Sequence, residues 1–165
     1  MLPAVRQEDE RRSARRSVRR FVVCEDGAEY IERFRRFLGD AFEFEPAHDL
    51  AEALAAAPTA DGVLLDLDFR RTPPERLVDE TGRAGGRGDE GTRRRLVESQ
   101  GIFILRALRA RGVALPAVLF ADLADAAQAA FLEQTLAPLV IASSRTGLRE
   151  LAALLERLGG VVTPT

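Results

Sequence analysis

The stretch "GVLLDLDFRR", residues 62–71, indicates both the fold class and a candidate reactive group. An apolar run leads into Asp66, a second acid follows at Asp68, and the apolar run then ends. Short continuous apolar runs are typical of strands that are buried on both faces of a parallel sheet. Two interpretations follow: a strand that ends in a reactive carboxylate at a site, or a buried strand that ends in solvated charge.

Other segments of the chain repeat this pattern, and one alternates apolar and acidic residues as an edge strand does. They are "RFVVC" at 20–24, "LPAVLFA" at 115–121, "PLVIAS" at 138–143 and the alternating "FEFE" at 42–45. Helical patterns separate them, at 27–39, 49–57, 101–112, 122–134 and 144–160, with Asp49 and Asp122 as expected N-caps. Strict alternation predicts a three-layer α/β fold, with helices on both faces of a five-stranded parallel sheet. We expect the flavodoxin-like strand order 2-1-3-4-5.

The remaining segments differ from this pattern in composition. Residues 1–19 are polar and arginine-rich, which predicts a flexible tail before a domain at residues 20–160. Within that domain, residues 69–99 are rich in glycine and in charges of both signs, and loops of this length are uncommon in compact domains. We predict that this insert is mobile. Residues 161–165 would then form a tail or a linker.

The composition argues against several classes of protein. A chain of 165 residues with a net charge of −2 predicts one domain without overall attraction to nucleic acid or to a membrane surface. No apolar run is long enough to span a bilayer, which favours a cytoplasmic protein. With one cysteine, Cys24, and one histidine, His48, the chain has neither an internal disulfide nor a Cys/His zinc site. The mixed charges and missing aromatic residues of the tail argue against a nucleic-acid arm.

The basic residues are unusual, because all 24 are arginine and the chain has no lysine. Chemistry that requires a lysine amine is therefore absent. This removes a Walker A phosphate loop, a Schiff base, and any lysine that pairs with a bound phosphate.

Acidic residues follow two of the predicted strands. Glu25 and Asp26 end the first strand, while Asp66 and Asp68 end the third, and these strands are neighbours in the expected order. Like charges this close are unfavourable unless a cation neutralises them, and carboxylate oxygens suit Mg²⁺. With Mg²⁺ bound, one carboxylate can act as a nucleophile toward a phosphoryl donor.

Four motifs together resemble the receiver domain of response regulators of the chemotaxis type. They are "FVVCEDG" at 21–27, "VLLDLDF" at 63–69, "GIFILRALRARG" at 101–112 and "LPAVLFAD" at 115–122, so the resemblance covers most of the chain outside the insert. The resemblance implies that Glu25 and Asp26 hold Mg²⁺ and that Asp66 accepts the phosphoryl group. It further implies that Asp68 lends the metal its backbone carbonyl, and that Gly101 opens the helix after the third strand.

This sequence departs from the family at the positions that sense the phosphoryl group. Receivers have Thr or Ser at the end of strand 4, where this chain has Ala121, and Lys followed by proline after strand 5, where it has Ser143. Ser143 and Arg145 are the candidates to replace that lysine, although arginine differs from lysine in shape and reach. We therefore expect an atypical receiver or pseudo-receiver in a phosphorelay or a related pathway. Inserted, lysine-less segments of this kind also occur as N-terminal regulatory domains of larger ATPases.

The resemblance implies a signalling protein and not an enzyme, with at most autophosphorylation of an aspartate. The expected partners are a histidine kinase, a downstream effector, or a second copy that binds through the last two helices and strand 5. Two alternatives stay open. One is a Mg²⁺-dependent phosphatase of the haloacid-dehalogenase type, with Asp66 as nucleophile and Asp68 as general acid, although Thr72 lies too far along for that motif. The other is an interaction module that acts without phosphorylation.

Overall fold

The structure, a computed structural model, describes residues 18–85 and 88–158. It contains a sheet of five strands, which are β1 (Arg19–Cys24), β2 (Phe42–Ala47), β3 (Gly62–Asp66), β4 (Ala117–Phe120) and β5 (Leu139–Ala142). Every neighbouring pair is parallel, and the strand order is β2-β1-β3-β4-β5. The predicted fold class and strand order are thus confirmed.

Six α-helices accompany the sheet in the described part of the chain. They are α1 (Glu29–Leu38), α2 (Leu50–Ala56), α3 (Glu90–Glu98), α4 (Gln100–Ala110), α5 (Ala126–Thr135) and α6 (Leu148–Leu158). None of these helices is long and apolar enough to cross a membrane. The sequence pattern predicted all of them except α3, which lies in the insert.

Alternating side chains of the strands pack into two separate cores, one on each face of the sheet. In β1, Phe21 and Val23 contact the cluster that includes α1 and α6, while Val22 and Cys24 contact the cluster that includes α2 and α4. These four side chains are at most 2% exposed. The sheet is therefore covered on both faces, which leaves its carboxyl edge for a site.

The ends of several elements differ from the prediction. Strand β1 begins at Arg19, so this residue belongs to the sheet and not to the predicted tail; residues 1–17 and 159–165 lie outside the described residues. Asp49 caps α2 as predicted, since its carboxylate accepts a hydrogen bond from the Glu52 amide at 2.8 Å. The prediction for α5 was wrong, because its N-cap is Asp125 and not Asp122.

The insert packs onto the domain over its described residues, 69–85 and 88–99. It contains a short 3₁₀ helix, Pro74–Arg76, and then α3. Phe69 and Leu77 are fully buried in the core beside α4, and Leu96 is 3% exposed there. The sequence suggested a mobile loop because the insert is rich in glycine and in charges of both signs, yet each of these three apolar residues is buried. Its mobility stays a prediction.

Gln100, the first residue of α4, fastens the insert to the domain. Its side chain is buried, and its Oε1 accepts a hydrogen bond from the Val78 amide at 2.9 Å. Its Nε2 donates to the carbonyl oxygens of Val78 at 2.9 Å and Leu96 at 3.2 Å. One amide side chain therefore satisfies three backbone groups that the fold removes from water.

Candidate functional site

An open pocket of about 510 Å³ lies at the carboxyl edge of β1, β3 and β4. Acidic, basic and small residues from several connections surround it. The lining residues are Asp26, Asp66, Leu67, Asp68, Arg70, Arg71, Phe120, Ala121, Asp122 and Ser144. The predicted site residues Asp26, Asp66, Asp68 and Ala121 therefore share one pocket, whereas Glu25, Ser143 and Arg145 do not line it.

Asp66 ends β3 and is the half-buried acid of this pocket. Its Oδ1 accepts a hydrogen bond from the Leu67 amide at 2.9 Å. Burial is the largest cause that raises the pKa of Asp66 from 3.8 to about 6. The hydrogen bond from the Leu67 amide lowers the pKa, and the charges of Asp26, Asp68 and Glu25 contribute to the rise. A carboxyl with a pKa of about 6 is still mostly ionised at neutral pH, so Asp66 adds its negative charge to the acidic pocket.

Gly101 allows α4 to approach the end of β3. Its amide donates to the Leu67 carbonyl at 3.1 Å, and a side-chain Cβ at this position would overlap the Asp66 carbonyl oxygen. Any larger residue would push α4 away from the strand end. The glycine of the "GIFILRALRARG" motif thus has a local structural reason, which is close contact of the helix with the Asp66 backbone.

Glu25 is buried, and its carboxylate caps α1. Oε1 accepts a hydrogen bond from the Ile31 amide at 2.9 Å, and Oε2 accepts one from the Tyr30 amide at 3.1 Å. These amides belong to the first turn of the helix, where no carbonyl of the helix can reach them. Both Glu25 oxygens therefore have backbone partners and face α1.

Asp26 is paired with an arginine of the insert. Its Oδ2 accepts a hydrogen bond from the Arg71 amide at 2.8 Å, and its Oδ1 accepts one from Arg71 Nη2 at 3.1 Å. The same guanidinium donates to both carboxylate oxygens of Glu29, at 2.7 and 2.8 Å. Arg71 thereby lowers the pKa of Glu29 from 4.5 to about 2. One cation bridges Asp26 in the β1–α1 connection and Glu29 at the start of α1.

Asp68 is engaged by a second arginine of the insert. Its Oδ2 accepts a hydrogen bond from Arg70 Nη2 at 2.9 Å, and both side chains are substantially exposed. The two residues stand two positions apart, directly after β3. An exposed pair of this kind contributes little to stability, about 0–1 kcal/mol.

The arrangement does not fit the predicted Mg²⁺ site. Over residues 18–85 and 88–158, no group of three or more His, Cys, Asp or Glu side chains is placed to hold one metal ion. Glu25 is turned to α1, and both oxygens of Asp26 accept hydrogen bonds from Arg71. Carboxylate oxygens are ligands that Mg²⁺ prefers, but Arg71 already binds both carboxylate oxygens of Asp26.

Positions at the ends of β4 and β5 form a separate hydrogen-bonded group. Asp122 accepts hydrogen bonds from Ser143 Oγ, at 2.7 Å, and from Ser144 Oγ. These hydroxyls lower the pKa of Asp122, with Ser144 the larger cause. Ala121 is buried and has no hydroxyl, and Arg145 is exposed. The charge of Arg145 contributes to the lowered pKa of Asp122, although Arg145 does not line the pocket.

Sequence reasoning missed several residues that shape the pocket. Tyr30 stacks on Phe120 with ring centroids 5.0 Å apart, and burial beside Asp66 and Glu25 raises its pKa to about 12. Arg71 and Glu29 lie 42 positions apart, so no local pattern could pair them. The sequence feature that points to this contact is Gly27, which follows Glu25 and Asp26 and leaves room for the Arg71 guanidinium.

Comparison with known proteins gives structural matches only. No protein-family model and no curated protein sequence matches the chain. The receiver domain of Francisella response regulator 1452 aligns over 86% of this chain and 96% of its own length, with 14% identity and a TM-score of 0.60. The non-phosphorylated receiver domain of HemR from Leptospira biflexa covers 89% of this chain and 98% of its own length, with 18% identity and a TM-score of 0.59.

The chemotaxis response regulator CheY4 of Vibrio cholerae is similar in the same way. It aligns over 86% of this chain and 99% of its own length, with 16% identity and a TM-score of 0.60. These matches agree with the observed strand order. This chain has the fold of the receiver domains of response regulators.

Proposed function

We propose that the chain is a receiver-like signalling domain that acts by binding other proteins, without the phosphorylation switch of the receiver family. The main support is the group at the ends of β4 and β5. Ala121 offers no hydroxyl to a phosphoryl group, and Ser143 and Ser144 both donate to Asp122. The chain also has no lysine to contact such a group.

The state of the acidic residues supports the same proposal. Asp66 has a raised pKa, and Asp26 already has a cation partner in Arg71. A phosphoryl group brings further negative charge into a pocket that holds four aspartates and two arginines. Both arginines are already paired with carboxylates, so a phosphoryl group on Asp66 would meet uncompensated repulsion.

We place the partner surface on α5, β5 and α6, and we propose a second copy of this chain as the partner. Helix α5 has one charged residue, Glu133, whose carboxylate accepts a hydrogen bond from the Ile141 amide at 3.0 Å. The exposed face of α5 is therefore uncharged, with Ala127 and Ala130 exposed and Phe131 57% exposed. Small residues beside one large apolar side chain suit close packing of two identical helices across a two-fold axis.

Sedimentation velocity tests this surface. We expect the wild type to dimerise at micromolar concentrations and Phe131→Glu to be monomeric. Phe37→Glu is the matched control, because Phe37 on α1 is equally exposed, at 58%. A wild type that stays monomeric, or a control that dissociates as well, would rule out the homodimer.

The phosphatase alternative finds no support in the pocket. That mechanism needs Asp68 as a free general acid, but the Asp68 carboxylate is hydrogen-bonded to Arg70. Thr72 is buried and does not line the pocket. We therefore propose that the domain is not an enzyme.

Uptake of beryllofluoride, a phosphoryl mimic, tests the proposed function. Backbone ¹H–¹⁵N spectra of the wild type are recorded with and without MgCl₂ and beryllofluoride. We expect these additions to cause no shift of the Leu67, Ala121 and Ala142 amides in the wild type. We expect no response to them in Asp66→Asn either. Saturable shifts in the wild type that Asp66→Asn abolishes would show a working phosphoryl site and overturn the proposal.

A further inference from the structure

Arg71 differs from an ordinary surface arginine because both its backbone and its side chain are fixed. Residues 69–78, here called the strap, leave the end of β3 and cross the carboxyl edge of the sheet. At its start, the fully buried Phe69 donates its amide to the Val97 carbonyl at 2.9 Å. At its end, Leu77 is fully buried and Gln100 binds both backbone groups of Val78.

Two arginines of the strap fasten it to two neighbouring connections. Arg71 binds Asp26 in the β1–α1 connection and Glu29 at the start of α1. Arg76 binds Asp49 and Glu52 at the start of α2, with its Nη2 3.0 Å from Glu52 Oε1. The strap therefore lies across the ends of β1 and β2, and the position of Arg71 over the acidic pocket follows from anchors on both sides of it.

The site beside Asp26 is shaped for the guanidinium. The Asp26 side chain is 7% exposed, and Arg71 contacts it through both the backbone amide and Nη2. Gly27 lies against the same guanidinium, because a Cβ at this position would overlap Arg71 Nη2 and Glu29 Oε2. A planar, bidentate cation and a glycine that leaves room for it together form a built contact and not an incidental surface pair.

We propose that Arg71 is a built-in counter-cation, which neutralises Asp26 and keeps a divalent cation out of the pocket while the strap is closed. The inference rests on the proposed function and deepens it by naming the side chain that blocks the cation. A divalent ion that binds Asp26 would have to displace the Arg71 hydrogen bonds from both carboxylate oxygens, and it would stand beside the guanidinium charge, which weakens its binding.

Magnesium titration followed by ¹H–¹⁵N spectra of the Asp26, Gly27 and Leu67 amides tests this. We expect Arg71→Gln to bind Mg²⁺ at least about tenfold more tightly than the wild type, since a positive charge leaves the site. Gly27→Ala should raise the affinity as well, because the added Cβ displaces the guanidinium without removing it from the chain. Arg70→Gln is the matched control: it removes an equal charge that pairs with Asp68, and we expect a gain of less than about threefold from this exposed pair.

Two outcomes would overturn the inference. One is equal Mg²⁺ affinity of the wild type and Arg71→Gln, in a variant whose spectrum shows it to be folded. Another is an equal gain in Arg70→Gln, which would assign the effect to net charge. These failures differ from failure of the proposed function, which is judged only by uptake of beryllofluoride in the wild type.

Discussion

At the scale of single residues, the site is defined by which group each acid faces. Glu25 and Asp26 are adjacent in the sequence, yet the first caps α1 and the second binds Arg71. Asp66 has no cation partner among the described residues and keeps a raised pKa. The sequence could predict that these acids gather at one sheet edge, because parallel strands end together. It could not predict the partner of Asp26, because Arg71 lies 45 positions away along the chain.

Replacing Asp66 changes stability in a pH-dependent way. The pKa of Asp66 in the folded protein is about 6, above its ordinary value of 3.8, so the folded state binds the proton more tightly. Wild-type stability therefore falls as the pH rises through this interval, and no further contribution is lost above it. Asp66→Asn removes the charge, and we expect it to stabilise the protein by about 1 kcal/mol at pH 7.5, after allowance for solvent screening, and hardly at all near pH 4.

Urea unfolding followed by circular dichroism measures this difference. Asp40→Asn provides the control, because Asp40 is exposed in the turn before β2. A gain for Asp66→Asn that is independent of pH would contradict a raised pKa in the folded state.

Gly101 tests the contact between α4 and β3. In Gly101→Ala the new methyl group would overlap the Asp66 carbonyl, a backbone atom that cannot turn away. We expect a loss of about 2–4 kcal/mol in the free energy of unfolding, as for other overpacked sites. Gly147→Ala is the control, since a Cβ there meets no atom within 4 Å. If both variants unfold at the same urea concentration, α4 does not pack on the strand end as described.

At the scale of elements, the strands were predictable and the insert was not. A continuous apolar run such as Phe21–Cys24 identifies a doubly covered strand without any tertiary information. Helix α3 has a single buried residue, Leu96, in nine, so its sequence resembles a solvated loop. The N-cap of α5 was misplaced for a related reason: the Asp122 carboxylate binds two serines beyond β5, and the helix begins only after Asp125.

Gln100 tests whether the insert is part of the folded domain. Gln100→Leu removes the buried partner of the Val78 amide and carbonyl, and unpaired buried groups cost about 1–3 kcal/mol each. We expect hydrogen exchange at Leu77 and Val78 to be faster in Gln100→Leu than in the wild type, with a larger change there than in β3. Arg94→Gln serves as the control, because Arg94 forms an exposed pair with Glu98 only one turn along α3. Unchanged exchange at Val78 would mean that Gln100 does not hold the insert.

At the scale of the whole molecule, the chain combines a receiver fold with a pocket in which one of its own arginines, Arg71, pairs with Asp26. The order of strands brings the ends of β1, β3 and β4 together, and the strap then lies across that edge. The fold alone would suggest a phosphorylation switch. The missing lysine, visible in the sequence, and the position of Arg71, visible only in the structure, favour a domain that signals through its surface.

A crystal structure of the wild type grown with MgCl₂ and beryllofluoride tests the central claim most directly. The claim is that Arg71, and not a metal ion, neutralises Asp26. We predict that the Arg71 guanidinium remains within hydrogen-bond distance of Asp26 and Glu29, with no metal beside Asp26 and an unmodified Asp66. A magnesium ion on Asp26, with beryllofluoride on Asp66 and Arg71 displaced from the pocket, would contradict it.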